Sequence, residues 1–250
     1  MRLLLLPCLL LSAVLARAEP VAAPALLPLL ELAGIDLLCQ QAAPMLQQGQ
    51  EPGQQKLLQE LFEGAAFCLE LAERTAPHFD GEQMQAVRDL LDGALAQRFT
   101  AAERAVGVNP EALGDYRERL QQHPVRGARL DLVQRLDQAT HTTDLASLLR
   151  YEVGKTQALL ALRARGENLD EKSLQEQTQA QAEAIRRSSE SAVESFMLYA
   201  YRQIPSDQLA EYADLYEQPS VRLLFRTSLE VVPQLFAERR QLLRPMVGQP

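Results

Sequence analysis

An all-α fold of about nine helices, packed as an irregular bundle, is what this sequence predicts, and three observations predict it. Apolar residues recur at spacings of three and four rather than two along most of the chain. Aromatics are only 5% and Trp is absent, so the residues that strands draw on are scarce. Leu, Ala, Gln, Glu and Arg, all good helix formers, dominate instead. With 47% hydrophobic and 23% charged residues in a 250-residue chain, the balance is that of a globular protein able to bury a sizeable core.

Met1-Arg2 is followed by an almost wholly apolar run, Leu3 to Leu15, then Ala16-Arg17-Ala18 and Glu19-Pro20. This is the pattern of a secretory signal peptide cleaved after Ala18, and the apolar run is too short for a membrane span. Pro7 stands where a lipid-modified Cys8 would need a small residue. The predicted layout is a signal peptide over 1–18, an Ala/Pro-rich lead-in over 19–28, one helical domain over 29–245 and a disordered tail over 246–250.

A first helix is expected from Leu29 to about Met45, weakened by Gly34 and Pro44. The second, Gln54 to Arg74, carries Leu57, Leu58, Leu61, Phe62, Cys68 and Leu69 on one broad stripe. The third opens on Asp80 with Gln83 three residues on, a capping box, and runs to Phe99. Asn109-Pro110 is a good N-cap and first-position pair for a short helix reaching Gln122. Further helices follow from Pro124 to Ala139, Thr143 to Arg165 and Asp170 to Arg202. Pro205-Ser206 caps the next, Asp207 to Glu217, and Pro219 precedes the last, Ser220 to Leu243, where Pro233 predicts a kink. Leu113, Tyr116 and Val125-Arg126 superpose on Leu209, Tyr212 and Val221-Arg222 at a shift of 96 residues, which suggests a duplicated helical hairpin or a coincidence of Leu-rich helices.

The formal charge is −8; losing Arg2 and Arg17 with the leader takes 25 basic residues to 23 against 33 acidic ones, a net −10. Such a chain repels nucleic acid and anionic lipid. Cys39 and Cys68 remain after cleavage, on helices joined by a Gly/Pro turn. In an oxidising compartment they predict one disulfide, the alternative being two buried thiols.

The stretch Leu209-x-x-Tyr212-x-x-Leu215-Tyr216-Glu217-Gln218-Pro219-Ser220-Val221-Arg222 resembles the core signature of an uncharacterised domain-of-unknown-function family of exported bacterial proteins. Pro219 and Arg222 match that signature, whereas Gln218 and Val221 replace its usual Ser and Gly. Arg129-x-x-Leu132-Val133-x-Arg135-Leu136 resembles the middle of longer members. The resemblance implies an exported all-α protein and brings no activity with it.

Sites are sparse. His78, His123 and His141 are scattered, no metal or cofactor motif is present, and no catalytic motif appears. Glu31, Asp36, Glu60, Glu63, Glu152 and Glu194 are the candidates for a carboxylate pair, each read as a solvated helix-face charge. Arg126, Arg129 and Arg222 fall in the opening turns of helices, where a cation opposes the dipole, so each is expected to meet a carboxylate of the protein or of a ligand. Tyr116, Tyr212 and Tyr216, with Tyr199 and Tyr201 nearby, complete the candidate binding region. The expected function is non-catalytic binding or scaffolding in the periplasm, with an envelope protein or a small anionic ligand as partner. The competing reading is a carboxylate-dependent envelope hydrolase.

Overall fold

The chain is described by a computed structural model over residues 21–246, apart from 109 and 126. The leader over 1–18, Asn109 and Arg126 therefore lie outside the described residues. All regular structure among the described residues is helical: α1 (Ala23–Leu32), α2 (Asp36–Gln47), α3 (Pro52–Leu61), α4 (Gly64–Thr75), α5 (Gly81–Leu91), α6 (Ala94–Val108), α7 (Pro110–Gln122), α8 (Ala128–Thr140), α9 (Thr142–Ala164), α10 (Glu171–Ala200), α11 (Ser206–Tyr216) and α12 (Pro219–Met246), with a 3₁₀ turn, Ala76–His78, after α4. The expectation of about nine is corrected to twelve, because each of the first three predicted helices is two.

The physical causes of those breaks are local. Gly34 adopts φ +70°, a left-handed conformation that glycine takes without a Cβ clash, and α1 and α2 meet there at 83°. Glu63 caps α4 by accepting a hydrogen bond from the Ala66 amide, so the stripe that runs through Phe62 is cut at that point. Asp92 and Gly93 separate α5 from α6. Other signals hold: Asp80 and Gln83 form the reciprocal capping box at the start of α5, and Asp170 caps α10 through the Ser173 amide. Ser206 is not a cap; Pro205 takes that position without a side-chain bond. No single helix among the described residues is long and apolar enough to cross a membrane.

One continuous apolar core runs from Leu26 to Leu243. The long helices α9 and α10 pack along each other, α12 packs on α9 and α4, and α11 lies against α8. The two candidate hairpins, α7–α8 and α11–α12, thus touch through α8 and α11, while their Leu-x-x-Tyr segments on α7 and α11 have unlike surroundings: Leu209 and Tyr212 are buried, and Leu113 and Tyr116 are half-buried.

Two clusters tie the helices. Phe62, Phe67 and Phe236 pack with ring centroids 5.2 to 6.4 Å apart, and the Arg239 guanidinium lies 4.5 Å over Phe67 while pairing with Glu70 at 2.8 Å. Deeper in, Arg240 is fully buried. Its Nη1 sits 2.7 Å from Glu152 Oε2, an ion pair outside hydrogen-bond geometry, and its Nη2 and Nε bond both oxygens of Glu171 at 2.6 and 3.1 Å. Lys155 completes the group, 3.1 Å from Glu171 and 3.4 Å from Glu152. Glu152, read from the sequence as solvated, is thereby corrected to a buried partner of two cations.

Candidate functional site

Where α2, α6, α9, α10 and α11 converge, the packing leaves a cavity of about 450 Å³. Its walls are apolar, formed by Leu38, Leu145, Leu149, Phe196, Met197 and Phe225. Its polar lining includes three tyrosines, Tyr201, Tyr212 and Tyr216, with Glu103, Gln41, Thr100, Thr140 and Thr142. At the rim stand the exposed Glu31, Leu37 and Arg104 and the half-buried Asp36.

Local sequence explains this lining. Phe99 and Glu103 are four residues apart on α6, so ring and carboxyl share a face. Tyr212 and Tyr216 have the same spacing on α11, which brings their hydroxyls to 3.1 Å with the rings edge to face at 5.0 Å. Phe99 stacks on Tyr212 at 3.9 Å and meets Tyr201 at 4.9 Å. Tyr201 ends α10, and its hydroxyl donates to Glu103 Oε1 at 2.5 Å.

Burial dominates the electrostatics. It raises Glu103 above the usual carboxyl range, only partly offset by the Tyr201 hydrogen bond and by Arg104. It raises Asp36 too, with Glu31 adding to the effect. Tyr201, Tyr212 and Tyr216 are all pushed up by desolvation, so their hydroxyls stay neutral donors at physiological pH.

The predicted binding residues divide. Tyr212 and Tyr216 line the cavity. Among the described residues Arg129 meets no carboxylate: it donates to the Tyr201 carbonyl at 2.6 Å and the Ser206 hydroxyl at 3.2 Å, tying α8 to the end of α10, where a cation suits the helix dipole. Tyr116 packs on Tyr199, with centroids 5.3 Å apart, away from the cavity. Arg222 is exposed in a separate open groove with Arg226, Glu217 and His141.

The carboxylate candidates divide as well. Asp36 and Glu31 border the cavity, whereas Glu63 is a cap, Glu60 lies 4.0 Å from Lys56 on the surface and Glu194 accepts from Gln134. Glu103 is absent from the sequence-based candidates. Its position four residues after Phe99 and three before the buried Val106 was the available signal, and ending the helix at Phe99 hides it. Cys39 and Cys68 are brought together as buried free thiols, Cys39 pushed up by its hydrogen bond to Cys68 and by burial. Their approach depends on Gly64, where a Cβ would come within 3.2 Å of the Gln40 backbone. Among the described residues no cluster of His, Cys, Asp or Glu is set to hold a metal ion.

Beside the open groove, His141 takes a left-handed φ of 52° between α8 and α9, uncommon for a residue with a side chain. Its Nδ1 lies 2.8 Å from Asp144, which also receives Arg186 at 2.5 Å. The His141 hydrogen bond and then Arg186 hold the Asp144 carboxyl down at about 2, below its ordinary 3.8. A depressed acid stabilises the fold above its unfolded pKa and loses that contribution as pH falls through the folded value. Asp144→Asn is therefore expected to cost about 1–2 kcal/mol at pH 7, after discounting for its partial exposure, with the difference from the parent closing between pH 4 and pH 2. Urea unfolding across that pH range reads it directly.

Comparison of the chain with protein-family models, with curated proteins and with solved structures finds no match.

Proposed function

We propose that this is a non-catalytic binding protein of the cell envelope, which takes a small amphipathic molecule into the cavity between α2, α6, α9, α10 and α11. The envelope assignment rests on the Met1–Ala18 leader pattern and on the resemblance of the Leu209–Arg222 stretch to an exported all-helical family. The binding assignment rests on one observation: an apolar cavity of about 450 Å³ whose polar lining keeps unused hydrogen-bonding capacity. In the Tyr212–Tyr216 pair one hydroxyl donates and the other retains its own proton, with no further acceptor among the described residues. A volume of that size and an apolar wall with a few convergent polar groups are the usual features of a small-molecule site.

Fluorescence titration with N-phenyl-1-naphthylamine, an apolar probe, tests the reading. The parent protein is expected to bind it saturably at one site. Ala146→Trp, which places an indole into the cavity from α9, is expected to weaken that binding at least 100-fold while unfolding within a few degrees of the parent. Equal binding by both proteins, or none by the parent, contradicts the proposal.

A carboxylate-dependent hydrolase is the second reading, and what favours it is that Asp36 and Glu103 border one cavity, both raised by burial. Under that reading Asp36→Asn abolishes turnover of a bound ester or glycoside; under the binding reading no turnover accompanies saturation. An anionic ligand or a partner protein would instead engage the exposed Arg222 and Arg226 of the separate groove.

A further inference from the structure

We infer that the cavity selects an organic cation, an amphiphile with an apolar body and a protonated amine or quaternary ammonium head. This rests on the binding reading above and names the ligand class for that same site.

The first support is the treatment of shielded acids elsewhere in the molecule. Glu152 and Glu171 are each matched to Arg240 and Lys155, and Glu70 is matched to Arg239 and Arg74. Asp137, with no cation within ion-pair distance among the described residues, receives two hydrogen bonds from Thr143. Glu103 has neither arrangement. A single hydroxyl, that of Tyr201, donates to its Oε1, no Lys or Arg lies within ion-pair distance of it among the described residues, Arg104 acting on it only from farther off, and its solvent-accessible Oε2 accepts nothing from them. An acid held this way destabilises its own charged form, and an entering cation supplies the missing counter-ion.

The second support is what surrounds that acid. Three carboxyl groups, Glu31, Asp36 and Glu103, border the cavity against one guanidinium, Arg104. The aromatic residues Tyr201, Tyr212, Tyr216 and Phe225 form part of the same wall. Aromatic faces attract cations, most strongly where water is excluded, and repel anions. The apolar wall from α9 and α10 then takes the body of the molecule. An anionic amphiphile of the same size meets three carboxyl groups, with Arg104 and the free hydroxyl proton of the Tyr212–Tyr216 pair set against them.

Three probes of equal chain length separate the ligand class from the binding reading: decylamine, decanol and decanoate, titrated calorimetrically below micelle formation into the purified protein at pH 7. Ala146→Trp is the blank that subtracts association with the acidic surface. Decylamine is expected to bind at least tenfold tighter than decanol, and decanoate weaker than decanol. Glu103→Gln, which keeps an acceptor for the Tyr201 hydroxyl, is expected to bring decylamine to within about twofold of decanol and leave decanol unchanged. The same variant should melt no lower than the parent at pH 7, because a half-buried charge with no counter-ion in contact is removed; a purely structural Glu103 would show the opposite. Should Glu103→Gln fail to fold, Asp36→Asn at the rim is expected to lower decylamine affinity several-fold with decanol unaffected. Equal affinities for decylamine and decanol overturn the cation assignment and leave cavity binding standing. Decanoate as the tightest probe overturns it in favour of an anion. Binding of none of the three overturns both.

Discussion

Arg240→Leu is expected to destabilise the protein by about 3–5 kcal/mol. The guanidinium is wholly buried between α9, α12 and the first turn of α10, where it faces Glu152 and Glu171 and also donates to the Thr156 hydroxyl at 3.2 Å. Leucine removes one positive charge from a group of two acids and two cations, so Lys155 is left to balance both carboxylates. The cost is mostly that of an uncompensated buried charge and only partly that of lost attraction. This predicts a rescue: combining Arg240→Met with Glu152→Met leaves the Lys155–Glu171 pair intact and neutral, and should recover most of the loss. Denaturant unfolding of the single and double variants gives both numbers. A double variant no more stable than the single one would show that the network is held by shape rather than by charge balance.

Phe236→Ala is the matching expectation on the apolar side, at about 3–5 kcal/mol. Its ring closes a triangle with Phe62 and Phe67, all three fully buried, where α12 packs on α4 beside the end of α3. Truncation leaves a ring-sized void against the buried Phe62 and Phe67 rings, in a close-packed interior that relaxes only in part. Phe236→Leu, which keeps most of the volume, should cost less than about 1.5 kcal/mol. The contrast between the two variants separates the loss of packing from any change at the Arg239–Glu70 pair, which lies beside the same rings.

The helical character of this chain is legible because the spacing of apolar residues is a local property. The splitting of its first half was not. Glu63 interrupts a stripe that continues in the sequence from Leu61 and Phe62 to Phe67, and glutamate is an uncommon cap, so nothing at residue level announces a new helix. Burial of α9 was illegible for a related reason. It is enclosed by α2, α10 and α12 on different faces, so its polar residues lie inward as well as outward, and Glu152 finds Arg240 eighty-eight residues away. Of the candidate site, the tyrosine pair on α11 could be read from its i, i+4 spacing. Glu103 could be read only in part: its spacing from Phe99 puts it on that face, but its significance lies in the hydroxyl brought to it by Tyr201 from the end of α10. The three arginines placed at helix starts illustrate the limit of a dipole argument: Arg129 relieves its own position by bonding the carbonyl end of another helix.

Backbone amide NMR spectra recorded while decanol is titrated into the protein test the central claim, that the cavity is a binding site, most directly. Decanol carries no charge, so the result is independent of the ligand class. Saturable shifts confined to the lining of α2, α6, α9 and α11, centred on Leu38, Glu103, Ala146 and Tyr216 and absent in Ala146→Trp, are the predicted outcome. The absence of saturable shifts, or shifts gathered instead on the Arg222 and Arg226 groove, would contradict it.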